Sequence, residues 1–158
     1  MTDFGRILKD LNAAGVRYVV VGGIALIRHG VVRATRDVDV VYDPDPSNLE
    51  AIRSLAEKWG ATRPDGSPLL ENAFSAGRSV HLSTPLGEID LLSEETASVS
   101  FVNLLERSEI RRIDAVEAPI CSLADLVALK RAAGRERDLA DLSDLEATHG
   151  SLPARPED

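Results

Sequence analysis

In the stretch "TRDVDVVYD", Asp37 and Asp39 stand two residues apart and alternate with Val38 and Val40. Such alternation marks a half-buried strand, with both carboxylates on one face and both valines on the other. Along a strand the two acids lie about 7 Å apart, close enough to raise each other's pKa unless a cation sits between them. A divalent metal supplies that cation, and magnesium favours hard oxygen ligands completed by phosphate oxygens. A third carboxylate from a neighbouring strand would let two ions bind about 4 Å apart, an arrangement suited to in-line displacement at phosphorus. Asp90 in "GEIDLL" meets that need, and Glu88 shares its face as a reserve ligand. Asp37, Asp39 and Asp90 are the expected metal ligands.

Upstream, "VRYVVVGGIALIRHG" reads as a strand that turns into a helix through Gly22 and Gly23. Glycines at such a junction let the backbone N–H groups approach a phosphate. Arg33, Thr35 and Arg36 lie between that helix and the acidic strand and are placed to meet phosphate or an acceptor. Each piece also has a plainer reading. Two aspartates beside Arg36 can be solvated, a Gly-Gly pair can be a simple turn, and the arginines can solvate a loop. Their order along the chain is what points to phosphate chemistry.

These side chains need elements to carry them. "DFGRILKDLNAAG" places Phe4, Ile7, Leu8 and Leu11 at helical spacing, with Gly15 as the stop. After the acidic strand, Pro44 and Pro46 break the run, and "PSNLEAIRSLAEKWG" begins a helix with Ser47 as the expected cap and Glu50 in the box position. "RSVHLST" and "EIDLL" are short strands joined by the tight turn "TPLG", and "EIRRIDAVEAPICS" reads as a second hairpin. Two helices, about 122–148, follow, with Ser122 capping the first and Gly134 separating them. Trp59 is expected in the core, and His29 and His81 as packed or solvated residues without a role. The order predicts an α+β domain over 1–150, a mixed central sheet with flanking helices and a short helical segment at the end. Residues 151–158 are expected to form a flexible tail.

Composition narrows the classes. With 158 residues, 44% of them apolar and 28% charged, the chain is an ordinary globular one. No apolar run approaches the roughly 20 residues that cross a bilayer, and "MTDFGRILKD" lacks the features of a signal peptide. A cytoplasmic location and no membrane partner are the expectation. Cys121 is the sole cysteine, so no internal disulfide forms, and three scattered histidines lack zinc spacing. The net charge of −8 argues against coating nucleic acid by charge alone. Arginines nonetheless cluster at Arg33/Arg36, Arg111/Arg112 and Arg131/Arg135/Arg137.

The stretch "VVVGGIALIRHGVVRATRDVDVVYD" resembles the signature of the DNA polymerase β-type nucleotidyltransferases. Within that superfamily it is most similar to the AbiEii-type enzymes of toxin–antitoxin and abortive-infection systems. "SLADLVALKRAAGRERDLADLSDL" also resembles that group, whose members carry a lysine and then Arg/Lys-Asp-x-x-Asp on C-terminal helices. The resemblance implies a minimal nucleotidyltransferase fold and transfer of a nucleoside monophosphate from an NTP to an acceptor, with two Mg2+ ions as cofactor. Carried over by position, Asp37, Asp39 and Asp90 hold the metals, and Asp90 helps deprotonate the acceptor. Gly22, Gly23, Arg33, Thr35 and Arg36 face the nucleotide. Lys130 sits near phosphate, positioned by Asp138 or Asp141, although a snorkelling lysine and structural aspartates fit the same spacing. Many relatives have Gly-Ser where this chain has Gly22-Gly23, so Gly23 must act through its N–H alone. The implied acceptor is an RNA such as tRNA, or a protein, and the implied partners are a cognate antitoxin and a second copy of the chain. Similarity to aminoglycoside and lincosamide nucleotidyltransferases offers a small-molecule acceptor instead. A non-catalytic, antitoxin-like partner on the same fold is the third reading.

Overall fold

Val19, Val20 and Val21 follow Tyr18 in a run of side chains that are all buried, and they form the central strand β1 (Tyr18–Val21). A computed structural model describes residues 1–158. The strand β2 (Asp37–Tyr42) runs antiparallel to β1, whereas β6 (Val116–Ile120) lies parallel on its other side. Beyond β2 comes β4 (Gly87–Leu92), parallel to it, and then β3 (Val80–Thr84), antiparallel to β4. With β5 (Glu109–Ile113) at the far edge, the six-stranded mixed sheet has the order β3-β4-β2-β1-β6-β5. Both expected hairpins form. The β3–β4 turn is fastened by Thr84 Oγ1, which accepts from the backbone N–H groups of Leu86 and Gly87. The β5–β6 turn passes through Asp114 and Ala115, both at positive φ, as a tight two-residue hairpin requires.

The helix α1 (Phe4–Ala13) starts at Asp3, whose side chain accepts from the Arg6 N–H, and it buries Ile7, Leu8 and Leu11. Each side chain so buried contributes about 1.5–3 kcal/mol of transfer free energy. The short helix α2 (Gly22–Arg28) continues directly from β1 and packs on β1 and β2. In α3 (Pro46–Trp59) the cap is Asp45 rather than the expected Ser47: the Asp45 carboxylate accepts from the Ser47 N–H at 2.9 Å. Proline at the first helical position, where no N–H is needed, moves the start one residue earlier. Trp59 packs partly buried against the core and donates to Asp10 at 2.8 Å.

The segment after β4 holds two helices absent from the expected order, α4 (Glu94–Ala97) and α5 (Phe101–Arg107). Each is announced by a serine cap, Ser93 to the Thr96 N–H and Ser100 to the Asn103 N–H. The closing pair, α6 (Leu123–Ala133) and α7 (Glu136–His149), pack on each other with Ser122 and Gly134 in their expected places. Residues 151–158 carry no regular element but run back over the body. Arg155 donates to the Ser98 carbonyl at 2.6 Å, and Asp158 accepts from Asn103 and Arg107. No helix is long and apolar enough to cross a membrane.

Candidate active site

The sheet register brings the sequence's acidic residues together. Asp39 on β2 is the direct partner of Asp90 on β4, and Asp37 is the partner of Glu88. Because strands alternate faces, all four carboxylates stand on one side, while Val38, Val40 and Ile89 fill the core on the other. Asp37, Asp39 and Asp90 each offer an oxygen, and these oxygens lie within 4.8 Å of one another. Burial pushes the Asp39 pKa up to about 7, reinforced by its hydrogen bond to Asp90 and by the charges of Asp90 and Asp37. Three hard oxygen donors at this separation, one of them protonated near neutrality for want of a counter-charge, fit a divalent cation.

Glu88 is not free to join them. Its Oε1 accepts from Ser83 Oγ at 2.8 Å and its Oε2 lies 2.7 Å from His81 Nε2. These hydrogen bonds, Ser83 first, hold the Glu88 pKa below its ordinary value despite some burial. His81, expected to have no role, bridges Glu88 and Asp90. Burial opposes its protonation, but the Glu88 hydrogen bond and the two carboxylate charges outweigh that and raise its pKa. The sequence signal was the alternation of His81 and Ser83 in "RSVHLST" opposite Glu88 and Asp90.

Gly22 follows Val21, the register partner of Asp39. It has φ +66°, and a Cβ there would stand 2.8 Å from the Asp39 Cβ and Cγ and nearer still to its oxygen. A Cβ on Gly23 would stand 2.8 Å from the Thr35 Cβ, so the space beside Gly23 belongs to Thr35. Gly22→Ala therefore must either displace Asp39 or strain the backbone, which costs about 1–3 kcal/mol. We expect it to weaken Mn2+ binding about tenfold or more and to lower the melting temperature, read by metal titration and thermal denaturation. Retention of both would show that the close approach is dispensable.

The C-terminal helices close the site. A cleft of about 830 Å³ is lined by Gly22, Gly23, Arg33, Thr35, Arg36 and the acidic cluster on one side. Lys130, Arg135, Arg137, Asp138 and Asp141 line the other. The Lys130 ammonium lies 3.2 Å from Asp138 Oδ1 and 2.9 Å from Asp141 Oδ2, and its side chain is only 12% exposed. This is a buried pairing and not the weak surface one the spacing allowed, because Asp138 is wholly enclosed. Burial opposes ionisation of Asp138, but hydrogen bonds from Arg135 and Lys130 prevail and hold its pKa below the ordinary value. Arg33 reaches across to Asp141, tying the segment before β2 to α7. Of the cleft's cations, Arg33, Lys130 and Arg135 are thus committed to acids. Arg36 and Arg137 are exposed and make no ion pair. Arg137 belongs to a cluster visible in the sequence, but its place in the cleft was not.

Comparison with known proteins places this geometry. A comparison with curated proteins finds no match. Among solved structures the fold resembles an antigenic nucleotidyltransferase-like protein from Paracoccidioides brasiliensis, at 16% identity and a TM-score of 0.62, covering 96% of this chain and 76% of that one. It also resembles the antibiotic-resistance factor ANT(2'')-Ia, at 12% identity and a TM-score of 0.60 over 92% of this chain and 81% of that one. A third is the lincomycin-bound lincosamide antibiotic adenylyltransferase LnuA, at 15% identity and a TM-score of 0.57 over 90% of this chain and 94% of that one. At such identities the likeness is one of fold. The sequence itself is more specific: over residues 6–149 it matches, and the chain therefore belongs to, the family described as nucleotidyltransferase of unknown function (DUF6036).

Proposed function

We propose that the chain transfers a nucleoside monophosphate from an NTP to an acceptor hydroxyl, with magnesium held by Asp37, Asp39 and Asp90. The observation that carries this reading is the convergence of those three carboxylates, from two parallel neighbouring strands, within 4.8 Å. When bound, divalent ions supply charge neutralisation of the triphosphate and polarise the phosphorus under attack. The protein's own groups do the rest. The backbone at Gly22 and Gly23, bare of side chains, lets phosphate come close, and the Thr35 hydroxyl fills the space beside Gly23. Arg36 and Arg137, free of acid partners, meet phosphate charge from opposite walls. Lys130, fixed by Asp138 and Asp141, keeps its ammonium at the cleft. A carboxylate oxygen of Asp90 takes the proton of the acceptor hydroxyl as the new O–P bond forms and pyrophosphate leaves.

The acceptor we propose is an RNA end or a protein, in the setting of a toxin–antitoxin pair. Support comes from the two segments that resemble AbiEii-type enzymes: the fold joins them in one cleft through Arg33–Asp141, across more than a hundred residues of chain. Incubation with each labelled NTP, magnesium, total tRNA and cell lysate tests this, with Asp39→Ala as control. Label on a discrete RNA or protein is the expected result. No label from any NTP, in wild type and variant alike, removes the transferase reading. A small-molecule acceptor is the second reading, favoured by the fold-level likeness to two antibiotic-directed proteins. It predicts drug resistance on expression where the first predicts growth arrest.

Arg137→Ala provides a graded check on the phosphate grip. We expect a rise of about tenfold in the KM for NTP, the loss of one charge-assisted contact. Because Arg137 is exposed and unpaired, the melting temperature should not move. An unchanged KM would remove Arg137 from the nucleotide's reach.

A further inference from the structure

The edge strand β3 adds two polar side chains to the face that bears the acidic cluster. His81 stands opposite Asp90 and Ser83 opposite Glu88. Since β4 lies between β3 and β2, His81 approaches Asp90 from the flank opposite Asp39. The imidazole meets a carboxylate at each nitrogen: Nδ1 is paired with Asp90 Oδ1, and Nε2 lies 2.7 Å from Glu88 Oε2. Ser83 occupies the remaining Glu88 oxygen. The row Ser83–Glu88–His81–Asp90 therefore ends on an acid of the cluster, and its other members are held at both ends.

This arrangement has a mechanical consequence. The terminal torsion of an aspartate is broad and roughly two-fold, so an unsupported carboxylate samples many orientations. Pinning one oxygen of Asp90 from the β3 side leaves its other oxygen directed at Asp39 and Asp37. The groups that orient a metal-binding side chain influence affinity almost as strongly as the ligands do. We infer that His81 is a positioning residue for Asp90, anchored in turn by Glu88 and Ser83, and that it sets the affinity of the cluster for divalent ions. Glu88 serves as that anchor and not as a ligand, since joining the cluster would break both of its hydrogen bonds. The inference rests on the reading of Asp37, Asp39 and Asp90 as an ion site.

Two amide substitutions separate the ring nitrogens. An asparagine at position 81 carries its amide near the place of Nδ1, and a glutamine reaches that of Nε2. The full chain and its variants are titrated with Mn2+ alone, following free Mn2+ by electron paramagnetic resonance, and label transfer is then measured at saturating NTP. His81→Phe and His81→Gln are expected to weaken Mn2+ binding about 10–100-fold and to slow transfer in step. His81→Asn should stay within about threefold of wild type, because the bond to Asp90 survives. Glu88→Gln, which leaves the ring in place, should weaken Mn2+ binding about 3–10-fold and stands in if His81→Phe fails to fold. Wild-type Mn2+ affinity in folded His81→Phe or in Glu88→Gln overturns the inference, as do equal losses in His81→Phe and His81→Asn. If wild type binds Mn2+ and transfers label while His81→Phe does the same, only the role of His81 is lost. If wild type does neither, the ion site fails and the role of His81 with it.

Discussion

Asp39→Asn is expected to stop nucleotidyl transfer while making the metal-free protein more stable above neutral pH. The activity loss should be on the order of a thousandfold or more, since the change removes the central ligand of the three and its charge together. The stability gain follows from the direction of the pKa shift. In the folded chain, burial and the neighbouring acids raise Asp39 from the usual 3.8 to about 7. The folded state therefore binds this proton more tightly than the unfolded one. The resulting stability is full below the unfolded value and is lost as pH rises through the folded one. At pH 8 the wild type carries the whole penalty of an ionised Asp39 beside Asp90 and Asp37, on the order of a few kcal/mol at 1.36 kcal/mol per unit, less a discount for partial solvation. Asparagine carries none of it. Thermal melts in chelator should show the variant ahead of wild type at pH 8, by roughly 2–4 °C per kcal/mol, and the two drawing together toward pH 4. Magnesium should raise the wild-type melting temperature and leave the variant's in place. A variant that still transfers label would show that Asp39 is not a ligand.

Asp138→Ala carries the largest expected cost to the fold. Its carboxylate is fully enclosed and receives Lys130, the Arg135 guanidinium at 2.7 Å and the Arg135 N–H at the start of α7. Removing one member of a buried ionic set leaves the others uncompensated, a loss of about 3–5 kcal/mol. For a chain of this size that lowers the melting temperature by about 10 °C. The pH dependence runs opposite to that of Asp39. The folded pKa of Asp138 is depressed, so its contribution is present above the unfolded value, about 4, and fades as pH falls through the folded one. Urea unfolding at pH 7 and at pH 3 should show a wide gap between variant and wild type that narrows in acid. A gap below about 1 kcal/mol at pH 7 would mean that the network contributes no more than a surface pair.

Much of this site was legible because it depends on local alternation and on a few residue types. Two aspartates spaced by one valine announce a strand face in any context, and Gly22-Gly23 marks a place where a side chain cannot fit. The mixed sheet and both hairpins follow from the same kind of signal. What escaped was long-range or competitive. Lys130 looked like a surface lysine because its partners lie one helix away, and Arg33 meets Asp141 only once α7 folds back over the loop. His81 was invisible as a partner of Asp90 until the β3–β4 register was known. The helices α4 and α5 were overlooked although Ser93 and Ser100 cap them, since each is too short for a clear apolar period. At α3 two capping candidates sat side by side, and Pro46 decided for Asp45.

The pairing of Asp39 with Asp90 also limits how the gene for such a protein can change in length. A single codon gained or lost between Ile89 and Asp90 would reverse the parity of everything that follows in β4. The acid would be driven into the apolar layer now held by Ile89 and Leu91, and a leucine would be set among the remaining carboxylates. A two-codon change would preserve parity but slide the acid about 7 Å along its strand. Length variation in this lineage is therefore confined to the connections between elements, and the interiors of β2 and β4 can vary only by replacement.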